Sequence, residues 1–284
     1  MAGMRRMSYA TRHGWIPPLL LILSMGFLAM PVRLGAQAAP PAAAPSAPST
    51  PRSIAPIDLT GYWVSVVTED WRFRMITPDK GDYTSVPLNP EGKRVADTWD
   101  PDKDRAGGNQ CRSYGAAGLM RVPGRVHITW ADDNTLRVET DAGTQTRLLH
   151  VVAATTAEEM VLKVPQNFAP TWQGYSVAEW EGLAQNAPAA IGLGVAQKSN
   201  KGYLRVITTR MLPGYLRKNG VPYGANAMLD EYFDTFTEAN GDRWLVITTV
   251  VTDPQYLNQP FITSTHFKGL ADASGWNPSL CEAK

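Results

Sequence analysis

Three short segments between residues 121 and 152 alternate apolar and polar side chains, and this alternation constrains the fold more than any other feature of the chain. Successive side chains of a β-strand point to opposite faces, so a period of two predicts strands that bury one face. The segments are separated at residues 132–134 (Asp-Asp-Asn) and 141–143 (Asp-Ala-Gly), whose residue types favour tight turns. Strands joined by such short turns form an antiparallel meander, and the sequence therefore predicts an all-β fold.

The first strand of this meander shows the two faces most clearly. Its apolar face carries Val126, Ile128 and Trp130, and its polar face carries Arg125, His127 and Thr129. In the third strand, Gln145 and Arg147 share one face. Strands of a parallel sheet that is covered on both sides are apolar throughout, so this alternation favours half-buried antiparallel strands.

Residues 1–38 have the composition of an export signal rather than of a folded domain. Three arginines form a basic start, residues 16–30 are apolar, and residues 36–38 (Ala-Gln-Ala) offer a cleavage site. The alternative is a membrane anchor, but the apolar segment is shorter than the ~20 residues that span a bilayer. We therefore expect cleavage, a periplasmic or secreted protein, and no stable membrane span after cleavage.

Residues 39–56 are rich in Ala, Pro and Ser and predict a solvated linker, so the folded domain is expected at residues 57–284. The chain has 27 Lys and Arg against 26 Asp and Glu, and four of the arginines lie in the segment that is expected to be removed. The balance is close to neutral and no basic patch is present in the sequence. Nucleic acid and anionic lipid are therefore not expected as partners.

Further segments of the domain also have the composition of β-strands. They are residues 160–164, 175–180, 203–211, 229–236, 244–252 and 261–268. A long first strand is predicted from Trp63 to Met75. Together with the meander these make about ten strands, enough to close a lipocalin-like β-barrel and hide its edges. The Ala- and Gly-rich segment at residues 182–202 is predicted to be a bulge or a mobile lid.

Residues 76–120 form a long polar connection after the first strand, with one short helix predicted from Pro90 to Trp99. Aspartates at three alternate positions from Asp100 resemble the start of a calcium loop. Arg105 stands where such a loop needs glycine, and Cys111 stands where it needs glutamate. A solvated acidic loop is therefore expected here.

Cys111 and Cys281 are the only cysteines of the chain. An exported chain with two cysteines most simply forms one disulfide, and an oxidising compartment disfavours the alternative of two buried free thiols. His127, His150 and His266 lie in separate predicted strands without the paired spacing of metal ligands. We predict a disulfide between the two cysteines, no metal and no cofactor.

Gly61-Tyr62-Trp63 at the start of the first strand resembles the Gly-x-Trp signature of lipocalins, in which the Trp closes one end of the barrel beneath an arginine. Other segments resemble a broad group of exported, largely uncharacterised proteins from soil bacteria. These segments are residues 58–63, 123–125, 170–176, 180–182, 219–222, 231–233 and 253–256, with Cys281 at the end. In that group a His usually stands where this chain has Tyr175. The resemblance implies one β-rich domain with a disulfide near its C-terminus, and it implies no particular reaction.

The polar face of the meander suggests where chemistry takes place. His127 is expected beside Arg147 and Arg121, with Tyr175 as a proton donor from a facing segment. Such a group of cations with one titratable ring suits a phenolate, carboxylate or enolate.

Aromatic residues are expected to line the barrel lumen around a ligand, namely Tyr62, Trp63, Trp130 and Trp172. Three functions remain open. The first is an exported barrel that binds a small amphipathic or aromatic compound. The second is a cofactor-independent lyase or isomerase that acts on small aromatic compounds by acid/base chemistry. The third is a structural envelope protein without a ligand.

Overall fold

A computed structural model describes residues 49–154, 156–182 and 202–284. The expected export signal at residues 1–38 lies outside these ranges, as do most of the 39–56 linker and most of the 182–202 segment. Within the described ranges, no helix has both the length and the apolar character to cross a membrane.

The described residues form eleven β-strands. They are β1 (Gly61–Val66), β2 (Arg125–Trp130), β3 (Thr135–Thr140), β4 (Gln145–Val151), β5 (Tyr175–Glu181), β6 (Tyr203–Thr209), β7 (Gly214–Arg217), β8 (Val221–Tyr223), β9 (Met228–Thr237), β10 (Arg243–Thr252) and β11 (Phe261–Leu270). Nine of them close into a barrel in the order β1-β11-β10-β9-β6-β5-β4-β3-β2, and β7 and β8 form a separate hairpin. Each barrel strand is paired on both sides over at least part of its length, and the predicted all-β barrel is confirmed.

Short helices occupy the connections. They are α1 (Trp71–Arg74), α2 (Pro90–Ala96), α3 (Pro101–Ala106), a 3₁₀ helix (Gln110–Tyr114), α4 (Ala116–Leu119) and α5 (Ala157–Leu162). The Asn89 side chain accepts the Gly92 N–H at 2.7 Å and so caps α2, which confirms a helix beginning at Pro90. Asp100 caps α3 in the same way, accepting the Asp102 N–H at 3.0 Å. The aspartates of the suspected calcium loop therefore begin a helix.

Neighbouring barrel strands are antiparallel at every position except β4–β5. The predicted meander of β2, β3 and β4 is confirmed, with Val126 opposite Thr140 and Val138 opposite Arg147. The parallel contact of β4 with β5 extends only from Leu149 to Val151. Parallel neighbours need a crossover connection, and the chain that carries α5 supplies it.

Two strand predictions are wrong. The first strand ends at Val66 instead of continuing to Met75, because Asp70 adopts a left-handed backbone conformation with φ 49° and the chain then enters α1. Residues 160–164, predicted as a strand, belong largely to α5. Thr156 caps that helix by accepting the Glu159 N–H at 3.2 Å, and this local capping outweighs the β-propensity of the segment.

The barrel interior is a packed hydrophobic core. Its members, none more than 3% exposed, are Trp63, Val126, Ile128, Leu136, Val138, Leu149, Leu204, Val206, Phe233, Leu245, Ile247 and Phe267. A small barrel has an interior just wide enough for side chains to fill. Because Trp63 is itself part of this core, the expectation of a ligand in the lumen is not supported, and a binding site has to lie elsewhere.

One end of the barrel is closed by Trp63. The Arg243 guanidinium lies 4.9 Å from the centre of the Trp63 ring. The indole N–H of Trp63 donates to the Leu59 carbonyl at 3.1 Å. A Trp packed beneath an arginine is the arrangement that the Gly-x-Trp resemblance implies.

The opposite end, where β11 begins, is covered by α2, α4 and the β7–β8 hairpin, and we call it the covered end. Apolar side chains of these elements pack against the strand ends, and the main members are Ala96, Ala117, Leu216, Val221, Tyr223, Leu229, Val251 and Phe261. This second apolar layer holds the long connection after β1 on the barrel. It also determines where the polar side chains of that connection lie.

A fully buried ion pair crosses the lumen below this layer. Arg147 of β4 binds Glu231 of β9 with both terminal nitrogens, at 2.5 and 3.1 Å, and neither side chain has any exposed surface. Arg147 also donates to the hydroxyls of Ser176 and Thr208 at 3.5 and 3.3 Å. The site role predicted for Arg147 has no support in these contacts, since its partners are other core residues.

Replacing Glu231 by Leu should destabilise the protein strongly, because Arg147 would remain as an uncompensated buried charge. We expect a loss of about 3–5 kcal/mol in the free energy of unfolding. The double change Arg147→Met and Glu231→Leu should lose less, since it removes both charges. Urea unfolding of the three proteins measures this, and a double variant less stable than the single one would contradict it.

The predicted disulfide is present. Cys111 of the 3₁₀ helix is bonded to Cys281, 170 residues further along the chain, with a Cα–Cα distance of 5.1 Å. The C-terminal segment is also held by the Ser279 N–H, which donates to the Asp141 carbonyl at 2.9 Å. The disulfide therefore fastens the C-terminus to the covered end and to the β3–β4 turn.

Removing this disulfide by the double change Cys111→Ala and Cys281→Ala should lower the free energy of unfolding by about 4–5 kcal/mol. The physical reason is that the bond closes a long loop and so restricts the unfolded chain. Urea unfolding against the oxidised wild type gives the difference. An unchanged unfolding midpoint would show that the bond adds no stability.

Candidate functional site

The structure does not bring the predicted catalytic residues together. His127 points out of the barrel, because it alternates with Val126 and Ile128, which point in. Its ring stacks on Tyr62 with centroids 4.0 Å apart. Arg147 points into the lumen, so the predicted neighbourhood of His127 and Arg147 is wrong.

The other predicted residues are also distributed over the barrel. Tyr62 and His127 share an outer patch with Trp276, and Nδ1 of His127 lies 3.2 Å from Glu139 Oε2. Trp130 is partly buried against the core. Trp172 and Tyr175 line a cleft on a different part of the outer surface, and Arg121 lies at the covered end.

Arg121 belongs to a cluster of three buried arginines at the covered end. Arg74 of α1, Arg121 after α4 and Arg217 of β7 are 8%, 6% and 4% exposed. Arginine is among the residue types least often buried, and then normally with paired charges. We call these three residues the arginine cluster.

Local structure explains how the cluster forms. The left-handed Asp70 turns the chain from β1 into α1 and so places Arg74 at the covered end. Gly118 lets α4 pack directly on β7, since a Cβ at that position would lie 2.7 Å from the Tyr215 carbonyl oxygen. This close approach brings Arg121 beside Arg217.

The three guanidinium groups share two neighbouring carboxylates as ion-pair partners. Arg74 pairs with Glu69, and Arg121 donates to Asp70 Oδ2 at 3.0 Å. Arg217 Nη2 lies 3.9 Å from the same Asp70 oxygen, too far for a hydrogen bond. The cluster with these two acids therefore carries a net positive charge.

The remaining hydrogen bonds of the cluster go to main-chain oxygens. Arg74 Nε donates to the Arg121 carbonyl at 2.9 Å, and Arg217 Nη1 donates to the Thr84 carbonyl at 2.7 Å. Four buried nitrogens have no acceptor among the described residues. They are Arg74 Nη2, Arg121 Nη1, Arg217 Nε and Arg217 Nη2. Buried donors without an acceptor are costly, so these four nitrogens lower the stability of the folded protein.

Aromatic rings hold two of the guanidinium groups in place. The Arg217 guanidinium carbon lies 4.2 Å from the centre of the Phe73 ring, and that of Arg121 lies 5.5 Å from the Phe261 ring. Cation–π attraction of this kind stabilises a positive charge beside a ring.

The arginine cluster lines a small hollow of about 30 Å³. Its wall also includes Phe73, Ser113 and Lys218, and no Asp, Glu or His is among these lining residues, all of which the structure describes. A cleft of about 280 Å³ adjoins it and shares Arg74 and Lys218. We call the two together the arginine site.

Burial and mutual repulsion disfavour the positive charges. Burial lowers the pKa of Arg217 to about 10, with a further lowering by the Arg121 charge and a partial offset by Asp70. Burial likewise lowers the pKa values of Arg74 and Arg121. A pKa of about 10 still leaves Arg217 protonated at neutral pH, so a bound anion would relieve an existing electrostatic cost.

The sequence singled out only Arg121 of this cluster. Arg74 falls within the predicted first strand, which in fact ends at Val66, and Arg217 lies in the short β7, for which no strand is predicted. The available signal was the concentration of charge at residues 69–74 (Glu-Asp-Trp-Arg-Phe-Arg), which is unusual beside an apolar strand.

Comparisons with protein-family models, with curated proteins and with solved structures find no match to this chain. In the described residues, no group of three His, Cys, Asp or Glu side chains is placed to hold a metal ion. The class of this protein is therefore described from its fold and its site alone. It is a nine-stranded β-barrel with a buried cationic hollow at its covered end.

The partial burial of His150 on the outer surface can be tested through the pH dependence of the free energy of unfolding. Burial lowers the pKa of His150 below its ordinary value of 6.5, an effect that the Asp132 charge partly offsets. The unfolded chain then binds this proton more readily than the folded protein, so the free energy of unfolding should fall as the pH drops through about 6.5. Urea unfolding at about pH 8 and about pH 5, for wild type and His150→Gln, measures the contribution. Equal losses in the two proteins would contradict it.

Proposed function

We propose that this protein binds a small amphipathic compound through a carboxylate held by Arg74, Arg121 and Arg217. The observation that carries the proposal is the set of four buried guanidinium nitrogens without an acceptor among the described residues. The Cys111–Cys281 disulfide supports an oxidising, exported compartment for such a binding protein.

The geometry favours a carboxylate over larger anions. A hollow of about 30 Å³ has room for about two water-sized groups, which corresponds to the two oxygens of a carboxylate. The guanidinium is planar and presents paired N–H donors that match this planar acceptor. Each such charge-assisted hydrogen bond contributes about 1.5–3 kcal/mol.

The adjoining cleft suits the body of the ligand. It is lined by Met75, Tyr114, Val122, Pro123 and Ala142, with Lys218, Ser279 and Glu282 among its polar members. Its volume of about 280 Å³ approaches the lower end of the range for small-molecule sites, about 300 Å³. The mixed lining supports a compact body with an apolar or aromatic part.

The lining supports binding rather than catalysis. A lyase or isomerase needs an acid or base within hydrogen-bonding reach of the reacting atoms. No His, Asp or Glu is among the described residues that line the hollow. Asp70 and Glu69 are held in ion pairs with Arg121 and Arg74, and Glu282 lines only the adjoining cleft. The arginines themselves stay protonated and so serve to hold an anion.

Isothermal titration calorimetry with benzoate and octanoate, and with benzamide and octanamide as neutral counterparts, tests the proposal. At least one acid should bind, and its amide should bind at least about tenfold more weakly, because the amide lacks the charge. Replacing Arg121 by Met should weaken binding of the acid at least about 30-fold, corresponding to about 2 kcal/mol.

Arg105→Met is the matched control, since the Arg105 side chain is 60% exposed and pairs with Asp102 on the surface. It should leave the affinity unchanged. Circular dichroism of each variant confirms folding. Equal affinity for acid and amide, no binding of either acid, or an Arg121→Met variant with unchanged affinity would each overturn the proposal.

A further inference from the structure

A second cleft lies on the outer surface of the barrel and shares no lining residue with the arginine site. Its volume is about 390 Å³, within the range of about 300–1,000 Å³ for small-molecule sites. Outward-pointing side chains of β4 form one side, and the segment from Phe168 to Tyr175 forms the other.

We infer that this cleft binds the ring of a neutral sugar. The first observation is Trp172, whose half-buried indole lines the cleft. Within the described part of the chain, this indole pairs with no other aromatic ring and its N–H donates to no acceptor. A tryptophan presented in this way offers both an apolar face for the C–H groups of a sugar and a donor for a hydroxyl.

The second observation is a rigid aromatic wall beside Trp172. Tyr175 stacks on His150 with ring centroids 4.6 Å apart and an interplanar angle of 18°. Phe168 meets Tyr175 edge-on, with centroids 5.0 Å apart. Rings that support each other lose little conformational freedom when a ligand binds, which favours recognition of a rigid ring.

The third observation is the set of neutral hydrogen-bonding groups in the cleft. Gln173 donates to the Tyr114 carbonyl at 2.7 Å and to Gln145 Oε1 at 2.9 Å, so its amide orientation is defined. Its own Oε1 is buried and accepts no hydrogen bond from the described residues. Thr146 and Thr171 add two hydroxyls. Several neutral donors and acceptors beside aromatic rings suit a ligand with several hydroxyls better than a phenol with one.

This cleft differs from the arginine site in the charge of its lining residues. None of the described residues that line it is Lys, Arg, Asp or Glu. A charged ligand would lose hydration here without gaining a counter-charge, which is unfavourable. The ligand is therefore neutral, in contrast to the carboxylate proposed for the covered end.

Ligand-observed NMR titration of the folded protein with methyl glucoside, methyl galactoside and methyl mannoside tests the inference. At least one glycoside should bind saturably with a dissociation constant in the millimolar range or tighter. Trp172→Ala should weaken this binding about tenfold or more, whereas Trp172→Phe should retain part of it because a ring face remains. Thr146→Ala, on an exposed strand position, should weaken it without affecting folding.

Phe236→Ala is the matched control, because Phe236 is a 40% exposed aromatic residue on β9 that stacks on Trp244. This variant and Arg121→Met should leave the glycoside affinity unchanged, so failure here is distinguishable from failure of the proposed carboxylate site. Absence of binding by all three glycosides would overturn the inference. So would unchanged binding by both Trp172→Ala and Thr146→Ala, or binding of phenol that no glycoside displaces.

Discussion

The packed lumen is the constraint on which the rest of the structure depends. Nine strands close around side chains such as Trp63, Phe233 and Phe267, and this filling leaves the barrel interior without room for a ligand. The two proposed sites therefore lie at the covered end and on the outer surface, where connections that pack on the barrel supply part of their lining.

Charge is balanced inside the barrel and unbalanced at its covered end. Arg147 and Glu231 form a bidentate pair with supporting hydroxyls, so the buried charge of one matches that of the other. In the arginine cluster, Arg217 has no carboxylate within hydrogen-bonding distance, and Asp70 is already bonded to Arg121. The first arrangement serves the fold, whereas the second holds an unbalanced positive charge at a cost to stability.

The two proposed sites differ because different elements build them. The arginine site depends on close packing of α4 against β7 at Gly118, which concentrates cations from distant parts of the chain. The outer cleft lies beside the parallel strand pair of the described barrel, where β4 and β5 pair over three residues. The crossover chain between these strands supplies part of its lining. Aromatic and amide groups from that crossover chain make the cleft neutral.

The sequence by itself determined the strands of the meander, the closed β-barrel and the disulfide. Alternation of polarity is a local property of a strand, and two cysteines allow only one intramolecular pair. Only the tertiary structure decided that Arg147 points inward, because alternation separates two faces of a strand without showing which one is buried. The end of β1 before Asp70 was also decided there, since the left-handed backbone of Asp70 is not visible in the polarity pattern. The arginine cluster likewise could not be predicted from local sequence patterns. Arg74, Arg121 and Arg217 are far apart in the chain, and their proximity depends on how the covering elements pack on the barrel.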